Sequence, residues 1–230
     1  SGTVASMDLL DALLNHGDIN VTIINCPGLK SLPPAIKCRS ISIYMCENLE
    51  SISTKVDVEY DASFGNMQAL HTIDSDIKCK SLSIINCPKL KTLPDELTVG
   101  FVAFDSLDLV DTLPRRIHFT EENTHISIVR MKSLVTLVAT EWTAEHPKGD
   151  RSIYINGCPQ LQEVVDLNAT TVNLDDLRVL QDVSTMFGDD RKELYINACY
   201  QVKTLFPSGD KISLTNVLRL SDFNVPELPT

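Results

Sequence analysis

The sequence lacks any apolar run near the roughly 18 to 20 residues that a membrane-crossing helix needs, so membrane insertion is not expected. Its start also lacks a basic flank followed by a long apolar stretch, so no targeting segment is visible. Positive charge is in deficit. Twenty Lys and Arg stand against 31 Asp and Glu, a net charge of −11, which is the wrong sign for sheathing a phosphate backbone or an anionic bilayer. A nucleic-acid partner is therefore not expected. Motifs that carry chemistry are missing as well: there is no Cys-x-x-Cys, His-Glu-x-x-His, Gly-x-Gly-x-x-Gly or phosphate loop. The five histidines (His16, His71, His118, His125 and His146) show no ligand spacing. No catalytic residue, metal or cofactor is expected, and the chain reads as a non-enzyme.

What the chain does contain is a repeat. Ile23-Ile24-Asn25-Cys26-Pro27-Gly28-Leu29-Lys30-Ser31-Leu32-Pro33 returns as Ile84-Ile85-Asn86-Cys87-Pro88-Lys89-Leu90-Lys91-Thr92-Leu93-Pro94. Counted from the first strand residue, apolar side chains fall at offsets 0, 2, 5, 8 and 11 in ten copies, beginning at Val21, Ile41, Ala62, Leu82, Val102, Ile126, Ile153, Val172, Leu194 and Ile212. All fifty of those positions are apolar in a chain that is 43% apolar overall, too consistent a pattern for composition alone to produce. Offset 15 adds Ile36, Val56, Ile77, Leu97, Ile117 and Phe187. Offsets 0 and 2 share one face of a short strand, and the following steps of three turn the chain away in a 3₁₀-like arc. One such coil cannot bury its apolar side alone, so the coils must stack, with parallel strands forming one sheet and inward side chains piled in ladders.

The pattern resembles the leucine-rich-repeat family from about residue 18 to 230, and Cys79-Lys80-Ser81-Leu82-Ser83-Ile84-Ile85-Asn86-Cys87 maps onto the family's core motif, with Cys87 at its Asn/Cys position. That resemblance implies an α/β solenoid: a right-handed superhelix with a parallel concave sheet, a mostly irregular or 3₁₀ convex side and an N-terminal capping helix over residues 1–17. The Leu-Pro endings at Leu32-Pro33, Leu93-Pro94 and Leu113-Pro114 further resemble the short repeats of bacterial type III effectors and of plant immune receptors. Such a resemblance implies an interaction module, cytoplasmic or delivered into a host cell. It also implies the alternative of a substrate-recognition domain in a larger enzyme such as a ubiquitin ligase. The ligase nucleophile of those effectors lies in a Cys-x-Asp motif, and none of the seven Cys here has Asp two residues on. A self-associating structural surface protein is a third possibility.

The capping helix is expected after Ser6, with Met7, Leu9, Leu10, Leu13 and Leu14 as its apolar stripe and Gly17 at its end. The longest coil carries an extra segment, Thr140 to Asp150, read as a solvent-side excursion, with its Trp142 expected in the core and an exposed anchor as the alternative. At the ends, Ser1-Gly2-Thr3 reads as an expression scar. Val225 to Thr230 lacks an obvious polar cap, which leaves two expectations open: a longer parent chain, or a last coil that pairs with something. Cys26, Cys46, Cys87, Cys158 and Cys199 share offset 5 with Leu and Met of other coils, and Cys38 and Cys79 each sit three residues before a repeat start. These are packing positions, so buried free thiols in a reducing compartment are expected. The sequons Asn20-Val21-Thr22 and Asn168-Ala169-Thr170 leave an extracellular setting open.

Offsets −1, 1, 3 and 4 face outward from the sheet and form the candidate partner-binding surface. Offset 3 carries Ile24, Tyr44, Ile85 and Val129, then Asp105, Asn156, Asp175 and Asn197. Tyr154 and Tyr195 stand at offset 1, Asp176 at offset 4 and Glu193 at offset −1. The expected face grades from apolar to acidic and tyrosine-bearing, the composition of a protein interface hot spot. The expected partner is a protein with a basic, partly apolar surface.

Overall fold

The computed structural model describes residues 7–183, 186, 193–202 and 217–221, the last five by their backbone. The chain forms a parallel β-solenoid of about eight turns. Its long sheet has ten strands, running from Asn20–Ile24 through Ser40–Tyr44, Asp61–Gly65, Ser81–Ile85 and Phe101–Asp105. It continues through Thr124–Val129, Arg151–Asn156, Thr171–Asp175 and Glu193–Asn197 to Val217–Ser221. Every strand pairs in parallel with the next coil's strand, and the register joins Val21, Ile41, Ala62, Leu82, Val102, Ile126, Ile153, Val172 and Leu194 in a single row.

The tenth start is different. The residue paired with Leu194 is Leu218, not Ile212, which lies outside the described residues. Ile212-Ser213-Leu214 and Leu218-Arg219-Leu220 present the same apolar-polar-apolar alternation, and period two by itself does not separate strands six residues apart.

The core is the stack of inward ladders. Every described position at offsets 0, 2, 5, 8 and 11 in the first nine coils is buried, except Val21, Cys26, Leu32 and Leu113, which are half-buried. Three of those exceptions belong to the first coil, whose strand Asn20–Ile24 ends the sheet among the described residues. In several coils the step from offset 5 to offset 8 is a tight turn: Leu29 N–H donates to Cys26 O at 3.0 Å, Leu90 N–H to Cys87 O at 3.0 Å and Leu161 N–H to Cys158 O at 3.2 Å. Burying one leucine of the offset-8 ladder contributes roughly 1.5–3 kcal/mol. Six of the seven thiols are buried, Cys26 is half-buried, and all are free.

The side opposite the long sheet is more regular than expected. A second parallel sheet of six strands comprises Ala35–Ile36, Lys55–Asp57, Ile77–Lys78, Glu96–Val99, Arg116–Phe119 and Glu141–Ala144. Two two-stranded sheets, Ser51–Ile52 with Thr72–Ile73 and Thr136–Val138 with Glu163–Val165, form a third side. The reason is a second alternation: Ile36/Cys38, Val56/Val58, Ile77/Cys79, Leu97/Val99 and Ile117/Phe119 are buried pairs two residues apart, the spacing of a strand. Phe187, expected in the same ladder, lies outside the described residues. In the longest coil the insertion displaces this ladder by one residue, so that Trp142 becomes the register partner of Ile117. Trp142 is half-buried, donates its indole N–H to Pro114 O at 3.0 Å and meets Phe119 edge to face at 6.3 Å. The Thr140–Asp150 segment therefore extends the second sheet before it leaves for solvent.

Among the described residues the only α-helix is Met7–Leu14, so the α/β class gives way to a nearly all-β coil. A circuit of about 20 residues that already holds two strands has no room for a stable helix of three turns. Of the expected stripe, Leu14 is buried and Leu10 half-buried, while Leu9 and Leu13 are 50% and 44% exposed. The helix end sits on the second sheet: Lys37 N–H donates to Leu14 O at 2.8 Å and Asn15 Nδ2 to Ala35 O at 3.2 Å. Ser6 and the terminal Val225–Thr230 lie outside the described residues.

Candidate binding face

The outward side of the long sheet is built from columns that run across the strands. At offset 1 the early coils carry Thr22, Ser42, Ser63, Ser83, Ala103 and Ser127, and the later ones Tyr154, Asn173 and Tyr195. The face thus has a low floor followed by two tall aromatic side chains. At offset 4 the chain turns a corner, and the backbone there is left-handed in nine successive coils. Asn25, Met45, Asn66, Asn86, Ser106, Arg130, Asp176 and Ala198 have φ between 47° and 55°, and Gly157 has φ 62°. This geometry lets the corner N–H donate to the offset-3 carbonyl of the next coil, as from Asn25 to Tyr44 at 3.0 Å and from Asn86 to Asp105 at 2.8 Å.

The offset-3 column, in spatial order, is Ile24, Tyr44, Gly65, Ile85, Asp105, Val129, Asn156, Asp175 and Asn197. Ile24 is 50% exposed, while Tyr44, Ile85 and Val129 are half-buried. Tyr44 lies over Gly65, where a Cβ would come within 2.7 Å of its ring, so glycine makes the space that the tyrosine occupies. Asp105 is separated from the later polar residues by Val129. Its carboxylate accepts from Arg130 Nη2 at 2.5 Å and from Ser106 Oγ at 2.9 Å.

The C-terminal part of the face holds seven of the expected residues. Asp175 lies between two amides, accepting from Asn156 Nδ2 on one oxygen at 2.6 Å and from Asn197 Nδ2 on the other at 2.7 Å. Tyr154 and Tyr195 flank Asn173 in register, and Tyr195 O–H donates to Glu193 at 3.1 Å. Asp176, at the left-handed corner, accepts from Arg178 Nε at 3.4 Å.

Sequence reasoning misses the basic residues Arg130 and Arg178. Arg130 stands at offset 4 one coil after Asp105 at offset 3, so the register that places the acids places their counter-charge too. The amide pair Asn86 Nδ2 to Asn66 Oδ1, 2.7 Å, is a second such omission.

Two further groups bear on chemistry. His125 Nδ1 shares a hydrogen bond of 2.8 Å with Ser152 Oγ, and burial pushes the imidazole below its ordinary range. Among the described residues no three His, Cys, Asp or Glu side chains come together as a metal site, and no helix is long and apolar enough to cross a membrane. The sequence matches no protein-family model, and comparison with curated proteins and with solved structures gives no match.

Proposed function

We propose that the protein is a non-catalytic binding module of leucine-rich-repeat type, whose long sheet is the concave side and holds a protein partner with a basic, partly apolar surface. The repeat type is supported by the ladders at offsets 0, 2, 5 and 8 and by the Cys residues that follow five of the strands at offset 5. One observation carries the binding reading: a single parallel sheet of ten strands displays Ile24, Tyr44 and Ile85 at one end and Tyr154, Asp175 and Tyr195 at the other. Outward-facing apolar and aromatic side chains beside charge are the composition of an interface anchor.

The test is a capture experiment from candidate lysates with the wild type and with Tyr154→Ala, Asp175→Asn and Tyr195→Ala combined. All three side chains point away from the core, so the variant should keep its thermal transition and lose its captured partner by at least roughly tenfold. Equal capture by a folded triple variant would remove this face from the function.

A further inference from the structure

We propose that the cleft between Tyr154 and Tyr195 is a receptor for one arginine side chain of the partner. The inference rests on the binding-face reading above and adds the chemistry of its central contact. Tyr154, Asn173 and Tyr195 are register partners on three adjacent strands. Two strand spacings of about 4.8 Å put the ring-bearing Cα atoms about 10 Å apart. Asn173 between them is shorter, and it is half-buried, so the space above it opens outward. A cation seated over Asn173 lies one strand spacing, about 4.8 Å, from each ring-bearing strand, inside the range of about 6 Å over which an aromatic ring attracts a cation, and a planar guanidinium suits that space.

Electrostatics selects a cation. Asp175 lies on the same outward face two residues along from Asn173, about 7 Å away at strand rise. Asn156 and Asn197 bond one to each of its carboxylate oxygens, which pins the carboxylate between the strands. Each oxygen has further lone-pair capacity, and the pair can accept the parallel N–H groups of a guanidinium fork. Glu193, held by the Tyr195 hydroxyl, adds negative charge on the opposite side of the cleft. An ammonium would satisfy the charge but neither the planarity nor the fork.

The experiment titrates the isotopically labelled protein with N-acetyl-arginine amide, N-acetyl-lysine amide and maltose, and follows backbone and tyrosine-ring NMR signals. Arginine should shift Tyr154, Asn173, Asp175 and Tyr195, with the lysine compound at least about threefold weaker and maltose without effect. Tyr154→Ala should weaken arginine binding roughly tenfold, and Asn173→Tyr, which fills the gap with a residue already used in that column, should abolish it. The idea fails if arginine leaves these signals unmoved, if lysine matches it, if Asn173→Tyr still binds it, or if maltose binds instead. Applied to the captured partner, Asn173→Tyr separates two kinds of failure. Retention by Asn173→Tyr with loss by the triple variant defeats the arginine cleft alone, whereas retention by both defeats the binding face as well.

Discussion

Alanine and glycine exchanged at a single corner should reverse their usual order of stability. Asn86 has φ 52°, a conformation that costs an L-residue with a Cβ roughly 1–2 kcal/mol and costs glycine little beyond its unfolded-state entropy of about 0.5–1 kcal/mol. The net preference for Asn86→Gly over Asn86→Ala is then about 1 kcal/mol. Both variants lose the same exposed amide bond to Asn66, so their difference isolates the backbone. At Ser83, in the middle of the strand Ser81–Ile85, the order should be the normal one, with Ala ahead of Gly by about 0.5–1 kcal/mol. For a chain of this size, about 1 kcal/mol moves the midpoint by about 2–4 °C. Urea and thermal denaturation of the four variants give the comparison directly. Ala198, with φ 52° and only a methyl to lose, should likewise be stabilised by glycine. If Asn86→Ala proved equal to or more stable than Asn86→Gly, the left-handed corner would be wrong.

The buried thiols provide a second check. Burial pushes Cys79 up to about 12 and Cys87, Cys158 and Cys199 up to about 11 from an ordinary 9.0. A thiol harder to ionise in the folded state leaves stability complete below about pH 9, and that stability drains away as the pH rises towards about 11 to 12, because the unfolded chain releases its protons first. Urea stability should therefore fall across that window, and at about pH 8, below the ordinary thiol range, a thiol reagent should label the half-buried Cys26 first, the other six only on unfolding. Fast native labelling of Cys87 or Cys158, located by mass spectrometry, would contradict the ladder. Gly149 tests the inserted loop: a Cβ there would collide with the Glu122 carbonyl, so Gly149→Ala should cost about 1–3 kcal/mol in a thermal melt, and an unchanged midpoint would refute that packing.

The ladders are legible in the sequence because Leu, Ile, Val, Cys and Met recur at fixed offsets, and a solenoid translates offset directly into burial. The sequence is less informative where one alternation is split between two observations. The offset-15 residues and the pair Cys38 and Cys79 stand out separately, although Ile36 with Cys38 and Ile77 with Cys79 are a strand's alternate positions, and together they mark the second sheet. The helix is legible as Met7–Leu14, but its contact is not: the apolar spacing of Leu9 and Leu13 fits a buried stripe, yet both are exposed, while Leu14 is buried and Leu10 packs half-buried against the core. On the outward face the acids are readable, as are the amides that hold Asp175 and the tyrosine that bonds Glu193, but the basic partners are not. Charge at Asp105 depends on Arg130 in the next coil, a relation between columns that residue type alone does not display.

The uneven lengths of the coils carry a consequence of their own. The additional residues of the longest turn are absorbed at Thr140–Asp150, on the far side of the molecule, and the pairing of Thr124–Val129 with Arg151–Asn156 continues through all six positions. Growth and trimming of individual windings are thereby uncoupled from the display surface. Such a chain can accumulate decoration along its back over evolutionary time while its long sheet keeps a fixed pitch, like a ruler whose spine can be rebuilt without moving the marks.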